Sequence, residues 1–217
     1  MPSLPEPAPP GRDCPLCPRL VDFRTANRAA FPDFHNAPVP SFGDLGARLL
    51  VVGLAPGLRG ANRTGRPFTG DWAGDLLYAT LLKYGFARGS YAARPDDGLA
   101  LVDCRIANAV RCVPPENKPV GAEISACRPF LAAEIAAMPR LRAILALGLI
   151  AHNAVLRATG ERAAAHPFAH GALHDLKGDL LLADSYHCSR YNTNTGRLTT
   201  AMFESVVHRL RERVGPI

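Results

Sequence analysis

Hydrophobic residues are concentrated in four short runs, with segments of helical spacing between them. The runs are rich in Val, Leu, Ile and Ala, and they cover 48–54, 103–110, 142–147 and 179–186. Short apolar runs of this kind are typical of strands buried on both faces of a parallel sheet. Helical spacing and end signals predict helices near 17–29, 71–85, 121–137, 148–158 and 197–213. The alternation predicts an α/β fold, a three-layer α/β/α sandwich with a central, mainly parallel four-stranded sheet.

The beginning of the chain differs in composition from the rest. Residues 1–11 hold five prolines and little that could be buried, so we expect a loose, extended tail. Residues 12–217 are enough for a single domain with a substantial core. The sequence shows neither the pattern of a secretory leader nor an apolar run long enough for a bilayer, so we expect a cytoplasmic protein.

The chain is basic, with a formal net charge of +6 and a pI near 9.2. This balance favours a polyanionic partner such as nucleic acid over an acidic surface. Many basic proteins bind no nucleic acid, so the charge permits this interpretation without establishing it.

Four of the six cysteines form two pairs along the chain. Cys14 and Cys17 are separated by two residues, and Cys112 and Cys127 bracket a loop that contains three prolines. Thiols stay reduced in the cytosol, so a four-thiolate metal site is a natural interpretation. Structural zinc and a [4Fe-4S] cluster both take four thiolates, although the wide second pair favours iron–sulfur. Cys112 and Cys127 as ordinary buried cysteines are the alternative.

The other two cysteines fit no such pattern. Cys104 lies in an apolar run and is interpreted as a core residue. Cys188 follows His187, but neighbours in a strand point to opposite faces, which disfavours a Cys-His hydrolase.

The segment 53–71 follows the first predicted strand and is dense in glycine and reactive side chains. Its candidate functional groups are Arg59, Asn62, Arg63, Arg66, Phe68 and Asp71. Open α/β sheets bind ligands in the crevice beyond the carboxyl ends of their strands, where glycines let the backbone approach closely. Asn108 ends another predicted strand, and a polar segment, 185–198, follows the last one. We therefore expect three strand ends to converge on one site.

Three features together resemble the type B (family five) uracil-DNA glycosylases. They are Gly-Leu-Ala-Pro-Gly followed by Asn-Arg-Thr-Gly-Arg-Pro-Phe-Thr-Gly-Asp, the four spaced cysteines, and His-Cys-Ser-Arg-Tyr-Asn-Thr-Asn-Thr-Gly-Arg-Leu. The resemblance runs from about Cys14 to the end of the chain. It implies a monofunctional DNA repair glycosylase that excises uracil and other deaminated bases such as hypoxanthine, leaving an abasic site. It also implies a structural [4Fe-4S] cluster on Cys14, Cys17, Cys112 and Cys127.

The resemblance assigns the catalytic part to Asp71, the aspartate of Thr-Gly-Asp. An aspartate before an apolar helical run is also a standard helix N-cap. A capping carboxylate has a lowered pKa, so we expect Asp71 to act more by charge and positioning than as a strong base. His187 is the second catalytic candidate, as a hydrogen-bond donor to O2 of the leaving base.

Extruding a nucleotide requires groups that stack on the base and read its edge. Phe68 offers a stacking face, and Asn108 occupies the position of the base-reading asparagine in the related type A family. The first motif supplies Gly53 and Ala55 to the base pocket, and the family places no carboxylate there. An apolar motif implies a wide range of accepted bases. Local backbone pairing of the Asn108 amide is the alternative to base reading.

The remaining candidate residues are expected to bind the DNA that contains these bases. Arg190, Tyr191 and Asn192 are expected to enter the duplex, and several basic residues are expected near phosphates. The complete set of expected DNA-binding residues, beside Lys118, is Arg59, Asn62, Arg63, Arg66, Ser189, Arg190, Tyr191, Asn192 and Arg197. The segment with His166, His170 and His174 is interpreted as a loop without a metal face. We expect a monomer, associated with the nucleoid in a prokaryote.

Two other functions stay open from the residues alone. A non-catalytic, metal-stapled nucleic-acid-binding module would explain the charge and the cysteines but not the converging polar groups. A small-molecule α/β enzyme is the other, although neither of the common glycine-rich phosphate motifs is present.

Overall fold

The computed structural model describes residues 6–215, and their strands and helices follow the predicted alternation. The strands are β1 Leu49–Gly53, β2 Ala87–Arg88, β3 Ala100–Leu101, β4 Cys104–Asn108, β5 Ala143–Leu147, β6 Leu173–Leu176 and β7 Leu180–Ser185. The α-helices are α1 Pro18–Ala30, α2 Ala61–Thr64, α3 Trp72–Lys83, α4 Gly121–Ala136, α5 Leu149–Ala158, α6 Arg190–Asn194 and α7 Thr200–Val214. Short 3-10 turns lie at Pro115–Asn117 and Ala163–Ala165.

The central sheet has the strand order β4-β1-β5-β7-β6. The first four strands are parallel and correspond to the four apolar runs, so the predicted α/β sandwich is confirmed. The sheet has five strands and not four, because β6 adds an antiparallel edge beside β7. That strand was missed because His174 and Asp175 interrupt its apolar pattern, and the loop expected around His174 was wrong at that residue.

Alternate residues of the sheet supply two separate cores. Leu49 and Val51 pack on the side of α3 and α7, whereas Leu50 and Val52 pack on the side of α4 and α5. All five residues of β1 are buried, as expected for a strand with helices on both faces. Burial on both faces explains the unbroken apolar run that predicted this strand.

The register brings the carboxyl ends of β1 and β4 together, since Gly53 lies opposite Asn108. Strand β7 ends at Ser185 on the same edge, two residues before His187. The long loop 54–71, Asn108 and the segment after β7 therefore meet at one edge of the sheet, as predicted from the three strand ends.

A buried histidine–aspartate cluster connects helix α5, on one face of the sheet, to the last two strands of the sheet. Nδ1 of His152 lies 2.7 Å from one carboxylate oxygen of Asp184, and Nε2 of His174 lies 2.9 Å from the other. Nε2 of His152 donates to the carbonyl of His166 at 2.9 Å. These are hydrogen-bond distances, so each Asp184 oxygen faces one histidine nitrogen. The cluster ties α5 to β6 and β7.

The expected loose tail extends over 1–11, and residues 1–5 of it lie outside the described range. Glu6, the first described residue, forms an ion pair with Arg105 at 2.7 Å. Arg105 also pairs with buried Glu134, which accepts from Arg111 at 2.6 Å as well. Burial alone would raise the pKa of Glu134, but the two arginines outweigh it and lower the pKa.

Within residues 6–215, no helix is long and apolar enough to span a bilayer.

Candidate active site

A cavity of about 270 Å³ opens at the carboxyl edge of the sheet. It collects groups from all three converging segments and from the loop between the second pair of cysteines. Its lining residues are Leu54, Ala55, Pro56, Gly57, Ala61, Phe68, Asp71, Trp72, Ala73, Asn108, Asn117, His187, Ser189 and Arg190. Both predicted catalytic residues and three of the four predicted base-pocket residues are therefore in one cavity.

Gly53, the fourth predicted base-pocket residue, forms the floor behind Phe68 and Asn108. A Cβ at this position would lie 2.4 Å from both Asn108 Oδ1 and Phe68 Cζ. No side chain larger than hydrogen fits without displacing these two groups. The absence of a side chain at Gly53 therefore leaves the room in which Phe68 and Asn108 lie against the cavity.

The backbone of Phe68 is held in the left-handed region, with φ of 52°. This conformation is strained for a bulky residue and persists only where the surroundings enforce it. The hydroxyl of Tyr91 donates to the Phe68 carbonyl at 3.1 Å. Gly74 of α3 leaves room for the same carbonyl, since a Cβ there would lie 1.9 Å from it. These contacts fix the direction of the ring.

Arg66 supports the loop from inside, which corrects the expectation that it faces phosphates. It is 6% exposed and donates two hydrogen bonds of 2.8 Å to the Asp97 carboxylate. Its guanidinium also lies 5.3 Å from the ring centre of Phe42 and 5.6 Å from that of Tyr78. Hydrogen bonding to Arg66 lowers the pKa of Asp97 strongly. We therefore assign Arg66 to loop stability.

Asn62 is a second correction of the same kind. It is 1% exposed, and its amide donates to Asn36 Oδ1 at 2.9 Å. Arg59 and Arg63 of the same loop are exposed, so two of the four predicted DNA contacts in this loop keep access to a partner.

Replacing Arg66 by Met should destabilise the fold by about 3–5 kcal/mol, because the covered Asp97 carboxylate would lose its balancing charge and keep only the amides of Ala92 and Leu99. Denaturant unfolding monitored by circular dichroism measures this change. Arg63→Gln, an exposed neighbour in the same loop, is the control and should shift stability by less than about 0.5 kcal/mol. Equal stability of the Arg66 and Arg63 variants would contradict the assignment.

Asp71 caps helix α3 and faces the cavity at the same time. Its carboxylate accepts from the Gly74 amide at 3.2 Å, as predicted for an N-cap. A Cβ at Gly60 would lie 2.3 Å from Asp71 Oδ2, so this glycine lets the loop close over the carboxylate. The expected lowering of its pKa was wrong: burial raises the pKa, and the amides of Gly74 and Ala73 only partly offset that effect. Asp71 is therefore a stronger base than an exposed cap.

Asn108 presents an unsatisfied oxygen. The residue is 3% exposed, and its Oδ1 is buried without a hydrogen-bond partner among the described residues. A buried, unpaired carbonyl is costly unless a ligand satisfies it. The alternative of local backbone pairing finds no support for this atom. The free oxygen instead suits a donor carried by a bound molecule.

His187 lies across the cavity from Phe68, with ring centres 6.1 Å apart. Burial lowers the pKa of His187 to about 4, so its ring is neutral at pH 7. Asn192 holds the backbone by donating to the His187 carbonyl at 2.9 Å. Cys188 is fully buried in the core, which agrees with the interpretation against a thiol nucleophile.

The rim of the cavity carries exposed aromatic and basic side chains. Trp72 is 48% exposed, and its indole donates to Thr193 Oγ1 at 2.8 Å. The Arg190 guanidinium lies 5.4 Å from the Trp72 ring centre. Tyr191 is 72% exposed. Arg197 is also exposed and lies 4.5 Å from the ring centre of Tyr186. Trp72 and Arg190 line the cavity itself and offer a stacking face and a positive charge there, and Tyr191 follows Arg190 in helix α6.

Among the lining residues with a polar or aromatic side chain, sequence reasoning missed Asn117 and Trp72. Asn117 has φ of 57° in a tight turn after Pro114, and a Cβ on Gly57 would lie 4.0 Å from its Oδ1 and 3.3 Å from Asp71 Oδ2. Asn117 and Asp71 therefore border the same point of the cavity. The Pro-Glu-Asn-Lys turn between Cys112 and Cys127 was the available signal, since asparagine tolerates left-handed backbone.

The four predicted metal-ligating cysteines line one small cavity near the start of α1. Cys17 precedes α1, Cys112 follows β4 and Cys127 belongs to α4, whereas Cys14 lies just ahead of Cys17. Burial raises the pKa of Cys17 to about 11 and that of Cys112 to about 12. Thiolates at neutral pH would therefore require a bound metal. The Arg111 amide donates to Cys127 Sγ at 3.4 Å, which suits a charged sulfur.

The sequence was compared with protein families and with known proteins. The model of the Uracil DNA glycosylase superfamily matches residues 40–211, and the chain belongs to this superfamily. It is similar to the type-5 uracil-DNA glycosylase of Thermus thermophilus, with 45% identity covering 93% of this chain and 94% of the relative. The corresponding protein of Mycobacterium leprae is 43% identical over 93% and 92%. A type-4 enzyme of Pyrobaculum aerophilum is 33% identical over 65% and 64%. The resemblance to the type-5 family is thereby confirmed.

Proposed function

We propose that this protein is a monofunctional DNA glycosylase that removes uracil, and other deaminated bases, by hydrolysing the N-glycosidic bond. The observation that carries the proposal is the cavity that unites a stacking ring, an unpaired amide oxygen, a buried carboxylate and a neutral imidazole. The type-5 relatives carry the name of this activity.

Base recognition falls to Phe68 and Asn108. A base turned out of the duplex stacks on the Phe68 ring, and its edge meets the Asn108 amide. Asn108 Oδ1 accepts from N3–H of uracil, and Nδ2 donates to a ring carbonyl. Hypoxanthine also presents a carbonyl beside a ring N–H. The apolar wall with Ala55 adds no charge that would exclude the larger base.

Bond cleavage falls to Asp71, His187 and Asn117. As the bond breaks, the sugar gains positive charge and the base gains negative charge. The Asp71 carboxylate stabilises the first and, with its raised pKa, takes a proton from the attacking water. Asn117 borders the same point and holds that water from the other side. His187 donates to the base carbonyl as a neutral imidazole.

The protein surface completes the proposal. Arg190 and Tyr191 enter the space beside the extruded nucleotide. Asn192, which was expected there as well, instead donates to the His187 carbonyl, and Ser189, expected to bind DNA, caps helix α6. Arg59, Arg63, Lys118 and Arg197 contact phosphates. Cys14, Cys17, Cys112 and Cys127 hold a [4Fe-4S] cluster, which orders the loop that delivers Asn117. The cluster is structural and supplies no step of hydrolysis. We propose one domain over 12–217, acting as a cytoplasmic monomer at the chromosome.

Asn108→Asp should slow uracil release about 10- to 100-fold, because a carboxylate cannot donate to the base carbonyl and adds a buried charge. Single-turnover release from duplex DNA measures the effect. Affinity for a duplex with an abasic site is the control, since no base reaches Asn108 there. A variant with unchanged release would contradict base reading by this residue.

The function itself is tested with oligonucleotides that carry one modified base, treated with alkali after incubation to cleave abasic sites. Uracil opposite guanine should give cleavage, and the undamaged duplex should not. Hypoxanthine and xanthine in the same position measure the range of substrates. A protein that carries iron and binds the duplex without yielding any abasic site would favour a non-catalytic binding module.

A further inference from the structure

Arg24 is a buried cation beside the four cysteines. It is 4% exposed and lies in the second turn of α1. One terminal nitrogen donates to the Cys14 carbonyl at 3.0 Å, and the other is directed at Cys112 Sγ at 3.7 Å. Its Nε is buried and has no partner among residues 6–215. The guanidinium has five N–H donors, and within the described residues only these two atoms accept from it.

Arg24 has no ion pair with a carboxylate in the part of the chain that the structure describes. Its neighbours on α1 do have such pairs: Arg19 binds Glu123 at 2.7 Å, and Arg28 binds Asp13 at 2.6 Å. Arginines are almost never fully buried unless they are paired, because a charge loses its hydration on burial. Asp13 is close enough to feel the charge of Arg24, but its carboxylate is exposed and bound to Arg28. A group in direct contact with the buried guanidinium is therefore needed to balance its charge.

The thiolates are the groups in position to supply it. The Arg24 guanidinium lies 3.7 Å from Cys112 Sγ and also holds the backbone of Cys14, so its charge lies beside two of the four predicted ligands. A [4Fe-4S] core with four thiolate ligands carries a net negative charge, and its reduction adds one more. Hydrogen bonds and charges near the sulfurs set the reduction potential of such clusters.

We propose that Arg24 is the counter-ion of the metal cluster: it balances the charge of the thiolates and holds Cys112 in place. The inference rests on the [4Fe-4S] cluster of the proposed function. Arg24 favours the more negative, reduced form and therefore raises the reduction potential. It also slows release of iron, because loss of the cluster leaves a buried guanidinium without a balancing charge.

Arg24→Gln and Arg24→Lys, both as purified holoproteins, test the proposal. Gln removes the charge and keeps an amide donor, whereas Lys keeps the charge and loses the planar fork. Arg28→Gln is the matched control, because Arg28 lies one turn along the same helix and is paired with Asp13. The readouts are the midpoint potential by film voltammetry and the decay of cluster absorbance with an iron chelator.

Arg24→Gln should lower the midpoint potential and speed cluster loss about 10- to 100-fold, the effect typical of groups behind metal ligands. Arg24→Lys should keep a potential near that of the parent, and Arg28→Gln should match the parent in both readouts. An unchanged potential in Arg24→Gln, or an equal shift in Arg24→Lys, would overturn the counter-ion role. A parent protein that binds zinc and no iron would overturn the cluster and this inference together, whereas base release tests the glycosylase separately.

Discussion

Asp71→Asn is expected to slow base release by about 10²- to 10⁴-fold, the range typical for loss of a positioned acid–base group. The amide has no negative charge to stabilise the sugar and accepts no proton from water. Asparagine is as good a helix N-cap as aspartate, so α3 should keep its stability. Single-turnover release of uracil, with the free energy of unfolding measured in parallel, separates chemistry from folding.

Asp75→Asn is the matched control, because Asp75 is exposed in the first turn of the same helix. It should release base at the parental rate. DNA affinity should be unchanged in both variants or slightly higher, since each removes a negative charge. An Asp71→Asn protein that releases uracil as fast as the Asp75→Asn control would contradict the catalytic role of Asp71.

The pH dependence of the rate provides a second test of the catalytic role proposed for Asp71. Burial raises the pKa of Asp71 above the ordinary aspartate value of 3.8, and the proposed catalytic role requires the ionised form. The rate of base release should therefore be maximal above this raised pKa and should fall as the pH drops through it. The acid limb should lie above pH 3.8, where an exposed aspartate would be half protonated, and it should disappear from the residual activity of Asp71→Asn.

His187→Ala is expected to slow release about 10²- to 10³-fold, the usual loss when one donor to a developing anion is removed. His187 has a pKa of about 4, so it donates as a neutral ring, and its titration should not cause a rate change between pH 6 and pH 8. Single-turnover rates across this range measure both effects.

His187→Gln is the informative second variant, because its amide keeps a donor. It should recover part of the rate that His187→Ala loses. Identical rates in the two variants would show that the ring acts by shape and not by donation. A steep rise in activity toward pH 6 that vanishes in both variants would contradict the neutral form.

The fold was accessible from sequence because its signals are local. Apolar runs marked β1, β4, β5 and β7, and nearly all of their residues are buried, although Arg105 interrupts the run of β4 and Asp184 that of β7. Strand ends in a parallel sheet share one edge, so Asp71, Asn108 and His187 could be expected in one cavity. Strand β6 carried no such run, because an edge strand exposes half of its positions and admits His174 and Asp175.

Other features depend on tertiary contacts that no local pattern reveals. Arg63 and Arg66 look alike in sequence, yet Arg66 is buried because Asp97, thirty-one residues away, supplies a carboxylate. The N-cap role of Asp71 was predictable, but the direction of its pKa depends on how fully the loop covers it. Asn117 is brought to the cavity by the turn between two cysteines, and its spacing to Asp71 follows only from the folded loop.

The most direct test of the central claim is the mass of a duplex oligonucleotide with one uracil, measured after incubation and before any alkali. Hydrolysis in the cavity predicts that the strand loses uracil, gains the elements of water and stays unbroken, with free uracil in solution. A strand of unchanged mass, despite tight binding by the iron-loaded protein, would contradict catalysis and leave only nucleic-acid binding.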